Sequence, residues 1–234
     1  METSVGDSFA FDAIERKSVA PDSAPWRAGL VLGCLGLLAF SGTLPATRLA
    51  VPVFGPLILT CSRIEISAVL GIIALCLLRG RRWPRRGELP GILWTGLGLA
   101  VGYPFFVALA LERVPSAHGA VVVGLAPAAT AIISVVRTGE RPPRRFWIGC
   151  GVGVLAVAAF AIYQGAGRIE LADGWLVAAM LSVGLAYVEG GRVSREFGGT
   201  ATLCWAMIVL APFAAIPLLV EVQAHSWGPI PWPA

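Results

Sequence analysis

Charge is what this chain has least of. Asp, Glu, Lys and Arg together make up 14% of its residues, against about a quarter in an ordinary soluble domain. The shortfall is gathered into long segments that carry no charge at all. Lys17 is the only lysine, and it sits in the polar amino-terminal stretch, so no intramembrane Schiff base of the retinal type can form. Histidine occurs only at His118 and His225, too few for a histidine-rich metal centre. The cysteines, Cys34, Cys61, Cys76, Cys150 and Cys204, all fall inside apolar runs without a CxxC pair. They read as small packing residues, not as a disulfide frame or a metal site. No GxSxG, HExxH or ATP-binding motif is present, which argues against an intramembrane hydrolase, a zinc protease and an ATP-driven pump.

What is there is apolar surface. Hydrophobic residues make up 56% of the chain and the mean hydropathy is +0.77. A bilayer core of about 30 Å takes roughly 20 apolar residues per helix. On that ruler the sequence predicts about seven spans, near 28–49, 55–78, 89–111, 116–136, 146–164, 172–191 and 200–220. The fold class is therefore an all-α polytopic membrane protein. Residues 1–27 are polar and of mixed charge, and are expected to form a disordered cytoplasmic tail. They lack the apolar core of a cleaved signal peptide.

Arginine placement orients the chain. About 14 Lys and Arg residues fall in the tail and in the connections after the second, fourth and sixth spans, against about three in the alternate connections. Positive charge collects on the cytoplasmic side, so the amino terminus is expected inside. These arginines read as topology and headgroup signals, with membrane lipid as partner and no nucleic acid. Trp227 and Trp232 near the carboxyl end suit a membrane interface.

Polar groups at depth are costly and few. Arg63 and Glu65 lie a third to halfway along the second span. Two positions on a helix are roughly 200° apart, so the two cannot face one partner. Tyr103 and Pro104 stand at comparable depth in the third span, as do Ser41, Thr43 and Pro45 in the first. Pro45, Pro104 and Pro127 each remove a backbone hydrogen bond and free a carbonyl. Together Arg63, Glu65, Tyr103, Ser41, Thr43 and His118 are the candidates for a substrate path. For each of them a structural role is the competing reading: a snorkelled or carbonyl-bonded Arg63, or an interface-bonded His118. Glu189 beside Arg192 reads as a solvated interface pair. Gly98 with Gly102, and Gly149, Gly151 and Gly153, have the spacing of close helix packing.

The spacing of the spans suggests a five-helix unit over 28–165 and the start of a second over 172–234. Ala39-Phe40 followed by Arg48 recurs at the same spacing as Ala186-Tyr187 followed by Arg195. A repeat with an odd number of helices inserts upside down the second time, a recurring design of secondary transporters.

Four stretches carry a resemblance: SGTLPATRLAV, the Arg63 segment, GYPFFVALALERVPSAHGAVVVGLAPAATAIIS, and RTGERPPRRFWIGCGVGVLAV. The chain resembles an EamA-type permease of the drug/metabolite transporter superfamily, most specifically at Pro127, Gly139-Glu140-Arg141 and Trp147-Ile148-Gly149. The resemblance implies a ten-helix inverted-repeat fold of which this sequence holds the first repeat and two helices of the second. It implies a secondary transporter of the cell's inner membrane that exports a small metabolite or drug by alternating access. It calls for no cofactor and no enzymatic activity, and it admits a homodimer. Without the remaining helices the alternative is a non-transporting membrane fragment, or a seven-helix receptor-like or structural protein.

Overall fold

A computed structural model describes residues 26–77, 83–139, 142–163 and 171–224. The tail read over 1–27 lies almost wholly outside them, as do Arg79, Arg81, Arg82, Glu140, Arg141, Arg168, His225, Trp227 and Trp232. Among the described residues all regular structure is helical. We label the helices α1 (Trp26–Ser41), α2 (Thr43–Leu77), α3 (Leu89–Leu111), α4 (Ser116–Thr138), α5 (Arg144–Tyr163), α6 (Leu171–Phe197) and α7 (Gly199–Ala224). Among the described residues five stretches are long and apolar enough to cross a membrane: Gly33–Leu77, α3, α4, α6 and α7. This is an all-α polytopic membrane protein. Sequence alone predicts about seven crossings; the difference lies in Gly33–Leu77, which counts as one stretch of 45 residues, and in α5.

The chain divides into two compact units, Met1–Thr43 and Leu44–Ala234. In the first, α1 ends at Ser41, whose hydroxyl donates to the Leu38 carbonyl at 2.7 Å. The expected span over 28–49 is thus interrupted. Pro45 has no amide to give to the Ser41 carbonyl, and its ring would clash there. The helix turns at Gly42 and restarts at Thr43. Pro45 consequently sits in the first turn of α2, where an amide would go unbonded in any case, and the interruption falls before it at Gly42.

α2 has 35 residues, about 52 Å if straight and well beyond a bilayer core. It is broken at Gly55, with φ 73° and ψ 163°. The ring of Pro56 disfavours helical geometry in the residue before it, and glycine alone takes the positive φ without strain.

The second unit is built around α6, which lies against α3, α4 and α7. Its inward side chains serve three apolar clusters: Ala179, Met180 and Val183 pack with Tyr103, Val107 and Leu111; Ala172 and Leu176 with Ala110 and Val114; Val193 and Phe197 with Ile92 and Ala206. A fourth cluster joins α2, α3 and α7 through Cys61, Ile64, Ala100, Leu210 and Ala214.

Lipid tails are as apolar as leucine, so close packing has to supply the attraction between membrane helices. Gly98 and Gly102 deliver it. A Cβ on Gly98 would stand 2.3 Å from the Ser182 carbonyl oxygen, and one on Gly102 2.6 Å from Ser182 Oγ. Gly149, Gly151 and Gly153 correct the sequence reading, since nothing lies within 4 Å of where their Cβ atoms would be. Gly149 and Gly153 face a groove of about 400 Å³ between α4 and α5, lined also by Leu125, Pro127 and Arg145.

Candidate functional site

The middle of α3 is not a regular α-helix. Leu97–Gly102 is π-helical, and Tyr103–Leu111 resumes α-helical geometry directly after it. Pro104 cannot donate to the Ala100 carbonyl, and widening the preceding turns relieves the clash of its ring. The loosened segment presses its glycines on α6 and delivers Tyr103, 6% exposed, into the cluster with Met180 and Val183. The Tyr103 hydroxyl is buried and has no hydrogen-bond partner among the described residues. Pro104 is buried beside it.

Arg63 stands eight residues beyond the Gly55 break and Tyr103 eight before the end of α3. Both are therefore about 12 Å from the same end of the bundle. Ile64, next to Arg63, packs with Ala100 and Val101 of α3, and Ala186, next to Tyr187 of α6, lies against Gly98 of the same segment. Arg63 is exposed at the surface of the unit, whereas Ile64 beside it is buried. Glu65 points elsewhere, as its 200° offset requires, with Oε1 buried and unpartnered. Arg63, Tyr103 and Tyr187 come from three different helices and from both sides of the expected repeat boundary.

The other sequence candidates are placed elsewhere. Ser41 and Thr43 belong to the amino-terminal unit. His118, in the first turn of α4, has Nε2 at 2.6 Å from Oδ1 of Asp173 in the first turn of α6. Sequence reasoning gave Asp173 no role. Pro127 is exposed and follows a break at Gly124–Leu125, where α4 restarts at Ala126–Thr138. Arg48 donates to the Leu111 carbonyl, tying early α2 to the end of α3.

Glu189 overturns its sequence reading. It is 1% exposed and not solvated. Its Oε1 accepts from Arg137 Nε of α4 at 2.6 Å. Arg192 Nη2 is 3.2 Å from Oε2, an ion pair too skewed to count as a hydrogen bond. No group of three or more His, Cys, Asp and Glu residues able to hold a metal ion occurs among the described residues.

The chain is 42% identical over 206 residues to YdeK, an uncharacterized transporter of Bacillus subtilis (strain 168), which covers 88% of this chain and 71% of that protein. It is 24% identical over 197 residues to a probable terminal-alkyne amino-acid exporter of Streptantibioticus cattleyicolor, covering 84% of this chain and 65% of that protein. The chain thus spans about two thirds of the length of these relatives. No solved structure matches it. Residues 27–162, more than half of its length, match the EamA-like transporter family, and the chain belongs to that family.

Proposed function

We propose that this membrane transporter is a secondary exporter of a small metabolite, working by alternating access, with its path at Arg63, Tyr103 and Tyr187. The observation that carries the reading is the Tyr103 hydroxyl, buried without a partner beside the loosened turns of α3. A lone buried donor costs about 1–3 kcal/mol, and a site that a substrate completes offsets that cost. Arg63 adds to it: an arginine on the lipid face of a span is expensive, so its exposed guanidinium belongs in a water-filled cleft. Export as the direction is supported by the printed name of the Streptantibioticus relative.

The architecture that accompanies this reading is the ten-helix inverted repeat. Residues 28–165 form its first half and 172–234 open the second, with the amino terminus cytoplasmic and the chain in the cell's inner membrane. The recurrence of Ala39-Phe40 and Arg48 as Ala186-Tyr187 and Arg195 supports it, and the family match ending at residue 162 accords with it.

The test is metabolite efflux from cells making the full chain or its Arg63→Ala variant, with membrane insertion checked by fractionation. Export is expected to vanish in the variant while insertion persists. Normal export by an inserted Arg63→Ala protein would return Arg63 to a structural role.

A further inference from the structure

Resting on the path just assigned, we infer that the site at Arg63 takes the carboxylate group of a small organic anion, with the Tyr103 and Tyr187 hydroxyls as donors.

Among the described residues Arg63 has no counter-ion. The described ion pairs are those of His118 with Asp173 and of Glu189 with Arg137 and Arg192, and none involves Arg63. Glu65, its nearest carboxylate in sequence, sits about 200° round the helix with Oε1 buried. A guanidinium at this depth keeps its charge and therefore wants an anion.

The chemistry around Arg63 narrows the choice of anion. Tyr103 is nine-tenths buried and its hydroxyl is unsatisfied. Tyr187, half exposed on α6, follows Ala186, which packs against Gly98 in the π-helical turns just before Tyr103. A planar guanidinium fork plus two phenol donors matches the two oxygens and the lone-pair count of a carboxylate. A cation would meet Arg63 unfavourably. A neutral sugar would leave the charge unanswered, and a phosphate dianion would find a single positive charge against its two. The monocarboxylate satisfies the guanidinium and the buried hydroxyl together.

The test is thermal unfolding of the purified full chain in detergent, followed by tryptophan fluorescence. The probes are benzoate, L-leucine and L-phenylalanine, each beside its primary amide (benzamide, L-leucinamide, L-phenylalaninamide). At least one carboxylate is expected to raise the melting temperature while its amide does not. Arg63→Gln is expected to remove the shift and Arg63→Lys to keep part of it, a point charge replacing the fork. Tyr103→Phe, which preserves shape, is expected to weaken binding by about tenfold, one hydrogen bond's worth. Size-exclusion profiles confirm that each variant is folded.

The inference is overturned if no carboxylate outperforms its amide, or if Arg63→Gln responds as the parent does. The path reading can fail separately. Export of a neutral or cationic compound that Arg63→Ala abolishes would keep the path and overturn only the carboxylate. Export untouched by Arg63→Ala would overturn both.

Discussion

Arg137 at the end of α4 donates to Glu189 of α6 at 2.6 Å, although the carboxylate is 1% exposed and the guanidinium side chain 52%. The acid is buried and the base is half in solvent. The same two helices are joined at their other end by His118 and Asp173. Between these ties Gly184 brings α6 against the Thr130 backbone, with a built Cβ 3.3 Å from Thr130 Cα. Fastened at both ends and in the middle, α4 and α6 form one mechanical piece.

That fastening is measurable. In a double-mutant cycle of Arg137→Ala and Glu189→Ala, the coupling is expected at about 1–3 kcal/mol, as for residues in direct contact. Followed by reversible unfolding in mixed micelles, Arg137→Ala alone should destabilise more than Glu189→Ala, because it leaves a buried carboxylate with only the skewed Arg192 contact. Additive losses would mean that the pair holds nothing together.

Helix packing supplies a second comparison. Gly98→Ala would put a methyl 2.3 Å from a backbone oxygen and 2.9 Å from Ala186 Cβ, with no flexible side-chain end to yield. A loss of about 1–3 kcal/mol is expected, read as a lower melting temperature. Gly151→Ala, with nothing within 4 Å, should leave stability unchanged or raise it slightly through helix propensity.

Pro104→Ala restores the amide that the Ala100 carbonyl lacks and lets Leu97–Gly102 relax to α-helical geometry. Stability is expected to rise while efflux falls, because Tyr103 rotates away from Arg63. Two assays on one variant decide it: a fall in both would assign Pro104 to folding alone.

Topology can be read chemically. In a cysteine-free background, single cysteines at Gly87 and Gly139 are expected to react with a membrane-impermeant maleimide only after the cells are opened. One at Arg113 should react in intact cells. The reverse pattern would invert the orientation proposed from arginine placement.

The all-helical membrane fold was legible because runs of some 20 apolar residues have few other physical meanings, although the number of crossings was not. The matched depths of Arg63 and Tyr103, and the close approach at Gly98 and Gly102, followed from counting along helices. Three things were not legible. Pro45 reads as a kink in sequence, yet a glycine three residues earlier let the helix end and restart. Glu189 reads as solvated beside Arg192, because what buries it is α4, whose Arg137 is 52 positions away. Gly149, Gly151 and Gly153 show the spacing of a packing stripe, but spacing says that a partner could approach, not that one does. Local pattern fixes helices; burial depends on which helices meet.

The position of α6 in the chain has a consequence for synthesis. The helix that α3 and α4 both lean on is made after them, and its partner positions for Gly98, Tyr103 and Arg137 reach the membrane only when residues near 180–190 have been translated. Until then the earlier helices wait in lipid with Tyr103 unpacked and Arg137 unpaired. The nascent bundle is thus most vulnerable to quality control midway through translation, and a ribosome that stalls before α6 leaves behind helices that cannot close on themselves.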